Sequence, residues 1–68
     1  MSPDHKRFIM HLKRLRAERG WSQVALSKRA GLSKEYIARL ELGQHDPSLS
    51  TLAKLAKALK VSVAELVG

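Results

Sequence analysis

Lys34, Glu35 and Arg39 fall within one short stretch, KEYIARLELG, and their chemistry is that of recognition. The Arg39 guanidinium suits paired donation to O6 and N7 of guanine, Lys34 can reach guanine or a phosphate, and Glu35 can accept from the cytosine amino group. Charges on a short helix are ordinarily just a solvated face, so these residues carry weight only if the elements before them form a groove-reading frame. No arrangement for catalysis competes with them. His5, His11 and His45 share no metal-ligand spacing, and neither GxxxxGK[ST] nor GxSxG occurs. Ser22, Ser33, Ser48 and Ser62 are each better explained as helix caps than as nucleophiles. The absence of cysteine removes disulfides, thiolate zinc sites, iron–sulfur clusters and cysteine nucleophiles together. No enzyme, metal or cofactor is expected.

Charge supports a polyanionic partner. The 68 residues carry 13 Lys and Arg against 6 Asp and Glu, a net +7. Residues 1–39 hold ten cations and three acids, whereas residues 40–68 hold three of each. A basic half on a folded domain is the footprint of a nucleic-acid binder, although an anionic membrane or an acidic protein would also suit it. Lys6, Arg7, Lys13, Arg14, Arg19, Lys28 and Arg29 surround their helices and are expected to be mostly solvated, acting through the general field.

The elements that must position these residues read as helices. Hydrophobic residues make up 44% of the chain and aromatics only 4%, which favours a core of Leu, Ile, Val and Ala, and strand signals are nearly absent. No apolar stretch approaches the length of a membrane span, and Met1 to Met10 lacks the apolar centre of a secretion signal. The expected class is a soluble, intracellular, all-α domain, one unit over 1–68. Ser2, Pro3 and Asp4 open a first helix with Phe8, Leu12 and Leu15 inward and Lys13, Arg14 and Arg19 outward, ended by Gly20. Trp21 follows as an apolar plug. Ser22 caps a second helix from Gln23 to Ala30, Gly31 stops it, and Ser33 caps a third through Leu42 with Ile37 and Leu40 buried. Two short helices on so tight a turn have the geometry of a helix-turn-helix over about 22–42. Gln44-His45-Asp46-Pro47 is a loop, Ser48 caps a fourth helix with Leu49, Leu52, Leu55, Ala56 and Leu59 on one stripe, and Ser62 with Glu65 forms a capping box on a last short helix.

Arg16, Gln23, Leu26, Ala30-Gly31-Leu32-Ser33, Ile37, Glu41, Gly43, Pro47-Ser48-Leu49 and Leu55-Ala56-Lys57-Ala58-Leu59 before Val61-Ser62 stand at a joint spacing that resembles the XRE family, the phage lambda repressor and Cro type of helix-turn-helix. The resemblance covers nearly the whole chain. It implies a compact five-helix domain whose third helix enters the major groove of double-stranded DNA, with Lys34, Glu35 and Arg39 reading bases. It also implies a phosphate contact at Gln23, at the positive end of the second helix. Tyr36 can offer its hydroxyl to phosphate or simply cover the edge of the core, and the backbone donors of Gly43 and Gln44 are further phosphate candidates. Arg16 and Glu41 are implied to form a structural salt bridge behind that surface. Two departures stand out: Leu42 occupies a position where the family often has a polar residue, and Lys60 takes a helix-ending position where Gly or Asn is common.

The function so implied is a cytoplasmic, nucleoid-associated transcriptional regulator of prokaryotic or phage type, expected to be a repressor acting by promoter occupancy. A homodimer on a palindromic operator is expected, with half-sites roughly 34 Å apart. Val61, Val63, Leu66 and Val67 are the residues expected to be shared between core and dimer interface, and pairing through a segment after Gly68 is equally compatible. The rival reading is a protein-interaction module of the same fold, such as an antitoxin that masks an acidic partner. A membrane-surface peptide would be one long basic amphipathic helix without caps, and the repeated caps and glycine stops argue against it.

Overall fold

Local chemistry decides where each helix begins and ends. A computed structural model describes residues 3–68 and contains α1 Pro3–Glu18, α2 Gln23–Ala30, α3 Lys34–Glu41, α4 Leu49–Leu59 and α5 Val63–Val67. The expected Ser2 cap lies outside the described residues. Ser22, Ser33, Ser48 and Ser62 all adopt extended backbone, and each Oγ accepts the N–H three residues on, from Ala25, Tyr36, Thr51 and Glu65. At Ser62 this is the half of the expected box in which Ser62 accepts. One helix ends a residue early, because Glu41 closes α3 and Leu42 becomes its cap.

The first four helices stop the same way. The N–H groups of Trp21, Leu32, Gln44 and Val61 reach back five residues to the carbonyls of Arg16, Ser27, Arg39 and Ala56 at 2.9–3.1 Å, and the residue before each has positive φ. This is the Schellman closure, in which a left-handed residue lets the chain fold back over the last turn. Gly31, at φ 70°, adopts that conformation without steric cost, whereas Lys60, at φ 59° and ψ 42°, crowds its own Cβ.

Every helix sends at least one fully buried side chain inward. Leu12 comes from α1, Leu26 from α2, Ile37 and Leu40 from α3, Leu55 and Leu59 from α4, and Leu66 from α5. Helix α1 packs on α3 and α5, α2 on α3 and α4, and α4 on α5, so α3 is wedged on its inner side by two helices. Leu66 therefore belongs to the core and offers no side chain to a partner, while Val61, Val63 and Val67 are half-buried against it. Helix α5 packs on both α1 and α4, and Leu66 is its one fully buried side chain.

A polar junction fixes α3 from behind. Arg16 Nε and Nη2 donate to Glu41 Oε2 and Oε1 at 2.7 and 2.9 Å, and Arg16 Nη1 donates to the Trp21 carbonyl at 2.9 Å. Gln23 Nε2 adds a third bond to the same carboxylate, at 3.1 Å. The Glu41 hydrogen bonds hold the Arg16 guanidinium pKa above its usual value against the opposing effect of burial. Glu41 is 4% exposed and Arg16 21%, so the carboxylate is the partner that water cannot rescue.

One cation and a histidine differ from their expected solvated places. Arg19 is half-buried, with Nη1 donating to the Leu15 carbonyl at 2.8 Å and Nη2 to the Leu59 carbonyl at 2.6 Å, which ties the ends of α1 and α4 together. Its fork supplies donors to carbonyls that helix termination leaves open. Arg29 is exposed as expected, and its guanidinium lies 4.3 Å from the centroid of the Trp21 ring, a cation–π contact on the lid of the core. His5, expected on the surface, is 14% exposed and its Nδ1 lies 3.1 Å from Asp46 Oδ1, joining α1 to the α3–α4 loop.

Two stability outcomes follow from these contacts. Lys60→Gly should stabilise the domain by about 1 kcal/mol, the cost of a left-handed non-glycine residue, raising the midpoint of thermal unfolding by about 4–8 °C. Arg16→Ala should cost about 3–5 kcal/mol in denaturant unfolding, and more than Glu41→Ala, because it strands the buried carboxylate while the reverse change leaves a guanidinium that can reach solvent. Equal losses would show that burial of Glu41 is not what matters.

Candidate nucleic-acid interface

Helix α3 has two unlike sides. Ile37, Leu40 and Glu41 are buried, whereas Lys34, Glu35 and Arg39 are exposed and form no ion pair or side-chain hydrogen bond among the described residues. The structure thus places all three candidate readers on the outer side of a helix whose inner side is anchored in the core. Their donors and acceptors are unspent, which is what contact with base edges requires.

Around α3 the other candidates are arranged less freely. Gln23 is half-buried in the first turn of α2, and one N–H of its amide is taken by Glu41, leaving the second. Tyr36 is half-buried, its hydroxyl lies 3.2 Å from Thr51 Oγ1, and its ring meets the His45 ring edge-on at 5.8 Å between centroids. Gly43 and Gln44 require a correction. The Gly43 N–H bonds the Leu40 carbonyl at 3.1 Å and the Gln44 N–H bonds the Arg39 carbonyl at 2.9 Å, so these backbone donors are consumed in ending α3 and are closed to phosphate. The exposed Gln44 side chain keeps its own donors.

Thr51 is the polar residue that residue-by-residue reading overlooked, a buried side chain between Ser48 and Tyr36. Its place three residues after a serine cap was the available signal. A surface concavity along α2 is lined by Ser22, Val24, Ala25, Lys28 and Arg29, with no carboxylate or imidazole among them, so it holds no acid–base pair. Among the described residues no group of His, Asp or Glu converges as a metal site, and no helix is long and apolar enough to cross a membrane.

Comparison with known proteins agrees with this geometry. Residues 12–66 match the helix-turn-helix family. The immunity repressor protein of Bacillus phage phi105 is 44% identical over 57 residues, covering 84% of this chain and 40% of the repressor. An HTH-type transcriptional regulator of Sinorhizobium fredii is 46% identical over 54 residues, covering 79% of this chain and 70% of the regulator. The crystal structure of the restriction-modification controller protein C.AhdI from Aeromonas hydrophila superposes with a TM-score of 0.88 at 37% identity, covering 96% of this chain and 98% of that one. With its tight turn between capped helices, its outward α3 side chains and this match over most of its length, the chain belongs to the XRE-type helix-turn-helix family, and its relatives are transcription regulators rather than enzymes.

Proposed function

We propose that residues 1–68 act as a single domain, a sequence-specific regulator that binds double-stranded DNA and represses transcription by occupying a promoter in the cytoplasm, on the nucleoid. The observation that carries this reading is the set of unspent polar side chains, Lys34, Glu35 and Arg39, on the exposed side of a helix whose other side is locked into the core. Helix α3 enters the major groove, Arg39 takes a guanine, Lys34 a guanine or phosphate, and Glu35 a cytosine amino group. Gln23, with its second amide N–H, Tyr36 and the Gln44 side chain approach the phosphates on either side. The net +7 charge speeds encounter and makes affinity fall steeply with salt.

The regulator acts as a homodimer on a palindromic operator, since one short helix contacts few base pairs and two half-sites multiply the discrimination. With Leu66 committed to the core, Val61, Val63 and Val67 remain for the interface. A second reading, a module that docks on another protein, is favoured by one observation: Leu42 and Leu49, 67% and 76% exposed, are large apolar side chains on either side of the α3–α4 loop.

Selection from a random duplex pool near physiological salt, with wild type and Arg39→Ala in parallel, separates these. The expected result is a palindrome containing G·C pairs with half-site centres roughly 34 Å apart. Arg39→Ala should weaken its binding by about 1–3 kcal/mol and relax preference at one G·C position. Failure of wild type to enrich any sequence, with only weak salt-labile binding left, would sink the sequence-specific reading and favour the protein partner.

A further inference from the structure

A phosphate oxygen only accepts hydrogen bonds, so the Tyr36 hydroxyl can serve a phosphate only if its own proton is unspent. At the junction of α3 and α4 that proton can be followed. Ser48 caps α4, and its Oγ accepts the Thr51 N–H at 3.1 Å. The Ser48 hydroxyl donates in turn to Thr51 Oγ1, also at 3.1 Å. Thr51 is 8% exposed, and the remaining partner of its hydroxyl is the Tyr36 oxygen at 3.2 Å.

A hydroxyl owns one proton and can accept two. If Tyr36 were the donor to Thr51, the Thr51 proton would be buried with no acceptor, a costly state. With the Ser48 proton already aimed at Thr51, the Thr51 proton goes to Tyr36, and each hydroxyl in the chain polarises the next. We infer that Thr51 is a positioning residue of the interface: it donates to the Tyr36 oxygen and thereby leaves the phenolic proton for a DNA phosphate. The His45 ring, edge-on at 5.8 Å, steadies the Tyr36 ring from the loop side. The helix cap of α4 thus sets the polarity of a contact made by α3. The assignment rests on the DNA-binding reading above.

The test uses the duplex enriched by selection and the whole chain. Dissociation constants are measured over a salt series for wild type, Tyr36→Phe, Thr51→Val, Thr51→Ser and the Tyr36→Phe/Thr51→Val double variant, with thermal unfolding of each as a control for folding. Tyr36→Phe and Thr51→Val should each weaken binding about tenfold, the scale of one hydrogen bond to a charged group. The double variant should be no weaker than Tyr36→Phe, and Thr51→Ser should bind like wild type. A neutral donor displaces no counterion, so the slope of affinity against salt should stay unchanged in all of them. Wild-type affinity in Thr51→Val, or losses that multiply in the double variant, overturns the assignment while leaving DNA binding intact. An altered salt slope in Thr51→Val also overturns it, because that would mean the cations of α3 had moved. If wild type binds no duplex, the assignment falls together with the function.

Discussion

The carboxylate of Glu41 is the point on which the arrangement of the first three helices depends. It is buried near the end of α3 and takes hydrogen bonds from Arg16 on α1 and Gln23 on α2, while Arg16 also holds the carbonyl of Trp21 between those helices. A buried ion pair returns little net stability, because desolvating both charges offsets most of their attraction. Its effect here is geometric. Packing of Ile37 and Leu40 would allow α3 to slide or roll by small amounts, whereas a two-pronged guanidinium–carboxylate contact tolerates almost none. The outer side of α3 inherits that rigidity, and any hydrogen bond its side chains make depends on it, since displacements of an ångström separate a good hydrogen bond from none.

The same constraint shapes the electrostatics of the surface. The acids are few and mostly engaged: Glu41 is buried, Glu18 pairs with Arg14 at 3.1 Å, Asp46 with His5 at 3.1 Å, and Asp4 lies 3.9 Å from Arg7. Glu35 is left as the acid on the exposed side of α3, between Lys34 and Arg39. The domain as a whole stays strongly positive, at +7, and Glu35 stands where a carboxylate could discriminate a base. Spending cations on structure has a cost in this field, and the domain accepts it twice, at Arg16 and at Arg19.

Helix endings do much of the remaining work in so small a chain. Four closures of one type turn the chain sharply, which keeps connections short and brings five helices around a core that is mainly leucine and isoleucine. Where glycine supplies the left-handed residue the turn is unstrained, and where Lys60 supplies it the end of α4 carries extra support, since Arg19 donates to the Leu59 carbonyl just before it. The closures also have a functional consequence at α3, because the bonds that end it absorb the N–H groups of Gly43 and Gln44. The donor left on that flank is the exposed Gln44 side chain.

What the sequence determined by itself is whatever depends on neighbours within a few residues. Ser22, Ser33, Ser48 and Ser62 mark helix starts, Gly20, Gly31 and Gly43 mark stops, and the spacing of Leu12, Leu26, Ile37, Leu40, Leu55 and Leu59 marks the buried side of each helix. The outward placing of Lys34, Glu35 and Arg39 is legible for the same reason, since it follows from the buried side of α3. Arg16 with Glu41 was implied by the resemblance to a family rather than by anything local. Only the tertiary structure decided that Arg19 would bridge α1 and α4, that His5 would meet Asp46, that Leu66 would be core, and that Thr51 would stand behind Tyr36. Each of these joins residues far apart along the chain, or turns on which of two apolar fates a side chain meets. A pattern of spacing fixes the face of a helix but carries no information about which atoms of another helix will lie opposite it.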